Sequence, residues 1–351
     1  MDVLITILTA FISGCLATAL GALGTVILTA LMSIIGVCAI MAGCEFNFIN
    51  EICFGLYLGP QVGFGPALCA MNYAWKKGYI KDSKGLAMPL GSLQKVDVIV
   101  VGGLFAVAGY YIVVGLGMFI PGVIDNVAFA IVFLNIISKI MFGNEGLFGK
   151  VPEGDKRFGL LSECRWLPWV SWSHGTWFWL FGGSIGLIAG WLLWTMCQYS
   201  EQVGNPMIAG VSFVPLWAIA VVFLILMAAG LPCPVWHHTA LVGAYGAQMA
   251  YNAGCSEISV LLWGFAFGVL GHYAGDLSAD WMLNYGEGYV DPPSASMLIC
   301  SPFAFVIFPA LGLCDPEGMI SVIAPIILIV VLFIVSYVID IKRKAAEAAR
   351  A

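Results

Sequence analysis

"VGGLFAVAGYY" (101–111) and "WGFAFGVLGHY" (263–273) are two copies of one apolar pattern, 162 residues apart. Gly102 pairs with Gly264, Phe105 with Phe267, Val107 with Val269, Gly109 with Gly271 and Tyr111 with Tyr273. Upstream, Pro60 pairs with Pro234 at an offset of 174 and Ala67-Leu68 with Ala240-Leu241 at 173; downstream, "VIDN" (123–126) corresponds to "YVDP" (289–292). A lysine-rich insertion at 76–97 in the first copy accounts for the change in offset. Self-similarity at a long fixed period predicts a duplicated architecture. The alternative is chance likeness between glycine-rich apolar segments.

The two copies sit in a membrane-type chain. Of 351 residues, 61% are hydrophobic, 10% are charged and 42 are glycine, with a mean hydropathy of +0.97, far from the composition of soluble domains. Residues 1–43 contain one charge, Asp2, and two apolar stretches rather than a short cleavable leader, so the first segment is expected to stay in place. Eleven cysteines are scattered without a paired metal-ligand spacing, and no basic stripe with interleaved aromatics is present. Zinc, iron–sulfur and nucleic-acid partners are therefore not expected.

A helix needs about 20 apolar residues to cross the hydrocarbon core. Such runs lie near 3–20, 24–43, 52–75, 98–119, 124–142, 174–197, 207–230, 231–252, 258–283, 296–312 and 318–341. Two are interrupted, by "GPQVGFGP" in 52–75 and by "LPCPVWHH" at the head of 231–252, and read as broken or re-entrant helices. The fourteen Lys and Arg lie in 76–97, at Lys139, in 143–172 and at the C-terminus. Eleven crossings with an external N-terminus put all fourteen on the cytoplasmic side, as the positive-inside rule requires.

Each copy then holds five spans, and an odd number inverts the second copy relative to the first. The expected fold is all-α and polytopic: a first repeat at 1–142, a cytoplasmic loop at 143–173, a second, inverted repeat at 174–312, and a terminal helix with a basic tail at 313–351. Small-residue ridges at Gly182, Gly186, Gly190 and at Ser13, Ala17, Gly21 predict close helix packing, within or between protomers.

Ionisable residues are confined to few places. Gly264, Gly268, His272, Asp276 and Asp280 share one helix face at four-residue spacing. The matching positions of the first copy are Gly102, Ala106, Tyr110, Val114 and Met118, apolar enough for the bilayer throughout, so the second copy is expected to continue as helix to about 283. An aspartate at bilayer depth costs about 2.5–3.5 kcal/mol, and carboxylates near a helix C-terminus oppose its dipole. A bound cation, a proton or the His272 imidazolium is expected to offset this. Alternatively, the helix ends at Gly275 and both acids sit in water.

"NYGEGYVDPP" (284–293) adds Glu287 and Asp291 without a basic neighbour in sequence, which reads as a cation or proton-relay region; Asp291 before two prolines equally suits a helix N-cap. In the broken segments, Gln61, Asn72, His237 and His238 are candidates for a substrate path. Adjacent histidines diverge by about 100° on a helix, so His237 and His238 cannot face one site together.

"PVWHH" (234–238), "NYGEGYVDPPSAS" (284–296) and "GPQVGFGPALCAMNYAWKKGYI" (59–80) resemble an uncharacterised family of prokaryotic permease-like membrane proteins. The family is richer in His and Asp where this chain has Gln61, "KDS" at 81–83 and Glu287, so ligand roles do not carry over. The resemblance implies architecture rather than activity.

These readings favour a multi-pass permease of the cell (inner) membrane, with a cytoplasmic C-terminus. It would move a small solute or ion coupled to H+ or Na+, with no other cofactor. Its partners would be the lipid bilayer, the solute and further copies of itself in a homo-oligomer. The alternatives are the membrane subunit of an ion-translocating enzyme complex, docking through 76–97 and 143–172, and a structural oligomer. No nucleophile–base pair, phosphate loop or zinc motif supports stand-alone catalysis.

Overall fold

The computed structural model describes residues 3–350, and every regular element among them is helical. α1 (Val3–Leu20), α2 (Ala22–Met41), α3 (Phe64–Lys76), α4 (Val96–Phe119) and α5 (Asn126–Phe142) form a first set. α6 (Gly175–Val203), the short α7 (Pro206–Gly210), α8 (Val214–Val222), α9 (Ile225–Ala228), α10 (His237–Asn252), α11 (Glu257–Met282) and α12 (Pro292–Pro302) form a second. A π turn and the one-turn α13 (Phe308–Ala310) lead into α14 (Ile320–Arg350). Among the described residues seven helices, Pro292–Ala310 counted as one, are long and apolar enough to cross a membrane.

Packing in the first set recurs in the second. α4 lies against α1, α3 and α5; α11 lies against α6, α10 and α12. Helices α3 and α10 begin at Phe64 and His237, α4 and α11 at Val96 and Glu257, α5 and α12 at Asn126 and Pro292, close to the offsets the sequence pairs suggest. The sets meet through equivalent elements, α2 on α8 and α5 on α12. This leaves a space between them.

The close contacts explain the glycines. A Cβ on Gly186 would strike the Gly264 carbonyl and the Gly268 Cα, and a Cβ on Gly264 the Gly186 carbonyl. Where burial from water offers no drive, such backbone approach is what holds helices together. The Gly182–Gly190 ridge therefore packs within the chain. In the first set Ser13 and Ala17 are buried, but the residues that meet α4 are Gly14 and Thr18, against Gly102 and Gly103. Gly21 instead makes the α1–α2 turn at φ 82° against Met88, a left-handed conformation that favours glycine.

Both interrupted segments are broken. Residues 54–63 carry no regular helix, and side chains satisfy their carbonyls: Thr29 Oγ1 donates to Leu58 O at 3.0 Å and Gln61 Nε2 to Phe54 O at 2.9 Å. Residues 231–236 carry no regular helix, with Leu231, Pro232 and Pro234 exposed, and α10 starts only at His237.

Basic segments gather at one end of the molecule. Lys76 Nζ donates to Asn144 Oδ1, Lys84 Nζ to Asn284 O, and Arg350 Nη1 to Leu161 O. Arg157 Nη1 donates to Asp280 O and Trp281 O at the end of α11. Asp340 near the end of α14 accepts from Thr176 N at 3.0 Å. The loops 77–95 and 143–174, the start of α6 and the ends of α11 and α14 thus share one face.

Candidate functional site

Helix α11 runs to Met282 without a break at Gly275, so Asp276 and Asp280 are both helical; Asp280 is buried and Asp276 largely so, its side chain 12% exposed. The cationic side chain beside them is not the His272 imidazolium. It is Arg165, from the 143–174 loop, whose Nη1 lies 3.6 Å from Asp276 Oδ2 and 3.6 Å from Asp280 Oδ1. Trp172 completes the clamp: its backbone N–H donates to Asp276 Oδ2 at 2.5 Å and its indole Nε1 to Asp280 Oδ2 at 2.7 Å. Asn284 Nδ2 donates to Asp280 Oδ1 at 2.6 Å. Because Trp172 precedes α6 by three residues, the two carboxylates lie beside the positive end of a neighbouring helix while opposing the dipole of their own.

His272 makes no hydrogen bond or ion pair to these acids, although it shares a small chamber with Asp276. Its Nδ1 is 2.8 Å from Thr239 Oγ1, with roles set by the tautomer, and its ring packs on Phe178 and on the face of His238, centroids 5.9 Å apart. His237 and His238 diverge as helical geometry requires. His238 lines a small chamber of about 50 Å³ with His272, Asp276 and Arg165, and its Nδ1 has no partner. Such a volume holds a few water molecules.

His237 instead lines the space between the two sets, a cavity of about 360 Å³. Its walls come from α2, α5, α8, α10 and α12 together with residues 50–64 and Trp166. Asp125 and Asp291, the paired aspartates of "VIDN" and "YVDP", both line it. Each is an N-cap: Asp125 Oδ1 accepts from Ala128 N at 2.8 Å at the start of α5, and Asp291 Oδ2 from Ser294 N at 2.9 Å at the start of α12. Tyr245 OH also donates to Asp125 Oδ2. Trp166, Val235 and Pro293 line both spaces and form the wall between them.

Other sequence candidates serve the joint between the sets. Asn72 pairs with both backbone groups of Tyr289, accepting from its N at 2.7 Å and donating to its O at 3.2 Å, and donates to Ser138 Oγ at 2.8 Å. Glu287 Oε2 accepts from Ser83 Oγ at 2.8 Å. Gln61 is tied to Phe54. Neither Gln61 nor Asn72 lines the central cavity. The 284–291 segment does have basic neighbours: Lys84 donates to Asn284 O, and Lys139 Nζ to Met282 O at 2.5 Å, cations at the C-terminus of α11 where its dipole favours them. Burial pushes the Lys84 ammonium below its ordinary value, with the Glu287 and Asp82 carboxylates opposing that fall.

Sequence reasoning missed Arg165, Trp166, Trp172, Tyr245 and Asp125. Only Asp125 carried a signal, its pairing with Asp291. The others depend on where a loop folds. Among the described residues no group of three or more His, Cys, Asp or Glu side chains is placed to hold a metal ion.

A model of a family of unknown function, DUF7973, matches the chain over residues 1–161 and over residues 163–323, two stretches that begin 162 residues apart. No curated protein and no solved structure matches it. The chain belongs to this DUF7973 family.

Proposed function

We propose that this member of the DUF7973 family is a proton-coupled permease built as a five-plus-five inverted repeat with a terminal helix. The observation that carries this is the 360 Å³ cavity that lies between the two sets of helices, where broken α10 and the capped starts of α5 and α12 converge. Transporters place their sites at such repeat interfaces, at the ends of discontinuous helices.

Inversion is supported by the ends of equivalent helices. α4 begins at the basic face, where Asp97 accepts from Tyr73 and Tyr79, whereas α11 ends there. Eleven crossings follow when the half-helices α3 and α10 and the short apolar α5 and α8–α9 are counted with the seven long helices. The basic face is then cytoplasmic in the cell membrane. The small chamber supplies the coupling group: Asp276 and His238 face it, with Arg165 as the charge that a proton on Asp276 would release. The 143–174 loop is engaged by its own chain through Arg157 and Arg165, which favours a permease over a platform for a soluble enzyme.

Accessibility tests this without knowledge of the solute. In a protein lacking the exposed Cys38 and Cys44, Met297→Cys on the cavity wall is expected to react with an impermeant maleimide from either face of sealed vesicles. Asp276→Asn is expected to shift the balance between faces and remove its pH dependence. Reaction from neither face would remove the transport reading.

A further inference from the structure

We infer that the central cavity binds an organic cation, an ammonium group carrying apolar substituents; this ligand class rests on the permease reading above. Three features of the wall select it. Among the described residues lining the cavity none is Lys or Arg, while two are aspartates placed at equivalent positions of the two sets. Asp125 has both oxygens engaged, by Ala128 N and by Tyr245 OH. Asp291 accepts from Ser294 N and Ser294 Oγ through Oδ2 alone, leaving Oδ1 without a hydrogen bond.

Five helices, α3, α5, α8, α10 and α12, start at the cavity. Their partial charges, about half a unit each, are comparable with the two carboxylate charges. An anion is disfavoured because the N-termini of α5 and α12 are already occupied by Asp125 and Asp291 and no Lys or Arg is among the described lining residues. A hard inorganic cation wants about six to eight oxygens, or waters in their place, and this wall is mainly aromatic and aliphatic.

Aromatic faces supply what an organic cation needs. Eight aromatic side chains line the space, among them Trp166 edge-on to Tyr289 at 5.5 Å, Phe54 against Trp217 at 5.4 Å and Tyr245 edge-on to Phe305 at 5.0 Å. Cations over aromatic faces are stabilised most when desolvated, and quaternary ammonium groups are the ligands such cages take. A cavity of 360 Å³ suits a molecule of one ring and a substituted ammonium.

The test uses the full chain in a nonionic detergent, with calorimetry and tryptophan fluorescence as readouts. Three soluble probes of similar size are compared: benzyltrimethylammonium, neutral N-benzylacetamide and benzenesulfonate. The cation is expected to bind saturably and at least about tenfold more tightly than either other probe, from the desolvated cation–π and carboxylate contributions. Asp291→Asn, which keeps a good N-cap, is expected to weaken the cation at least about tenfold and leave N-benzylacetamide unchanged. Equal binding of cation and neutral probe, preference for the sulfonate, or binding of no probe would each overturn the assignment. The probe ranking is read on the unmodified protein, so it stands even if the variant misfolds. Cation binding without two-sided labelling of Met297→Cys would sink the permease reading alone. Two-sided labelling with no cation preference would sink only the ligand class.

Discussion

The α1–α4 seam and the α6–α11 seam meet the same packing demand with small residues at matching places, Gly14 and Thr18 on Gly102 in one, Gly186 and Gly190 on Gly264 in the other. Beyond the glycines they part. The first continues as Tyr110, half-buried, and Val114 and Met118, both exposed; the second continues as His272, Asp276 and Asp280, all of them shielded and partnered. The difference lies in what precedes the partner helix. α6 is led in by the 143–174 loop, which delivers Arg165 and Trp172 to the acids. The second seam thus holds its charge because a loop brings the groups that neutralise it.

The largest expected effect tests the shared part of the comparison. Gly186→Leu should abolish monodisperse protein in fluorescence-detected gel filtration, since its neighbours are backbone atoms of Gly264 and Gly268 that cannot yield. A folded product with an unchanged thermal midpoint would show that the seams are not close-packed.

The divergent part is tested next. Arg165→Met strands two buried carboxylates and should cost about 3–5 kcal/mol; adding Asp276→Asn and Asp280→Asn should restore most of it. Thermal unfolding of the unmodified protein, Arg165→Met, the two acid substitutions alone and all three together measures the coupling, and additive losses would mean that Arg165 acts through packing instead. Trp172→Phe, which removes the indole donor to Asp280 and part of the ring beside Arg165, should cost about 1.5–3 kcal/mol.

The smallest effect is a pH slope. Lys84 is held below its ordinary value in the folded protein, so the unfolded chain binds more protons between that lowered value and the ordinary one. Stability should therefore rise with pH across that alkaline window. Lys84→Met should flatten the rise. An unaltered slope would assign it to another group.

Much of the architecture was legible in residues alone. The 162-residue offset reappears in the two stretches that the family model matches, and the proline-interrupted runs are the two places where helices start late. Continuation of α11 past Gly275 followed from the apolar copy at 101–118. Asp291 as a cap followed from Asp-Pro-Pro. The candidate site was less legible. His272 and Asp276, four residues apart, share a stripe but turn to different partners, Thr239 and Trp172. Asn72, read as a path residue, pairs with the Tyr289 backbone across the joint.

The sequence by itself determined a helical membrane chain with two similar halves, because hydropathy, period and proline breaks act locally along the chain. Only the tertiary structure decided which charges meet. Arg165 is more than 100 residues from the acids it serves, and Asp125 and Asp291 come to line one cavity only when the two sets pack through α2 on α8 and α5 on α12. Pairing across such distances is set by loop path and helix packing, and no local pattern records it.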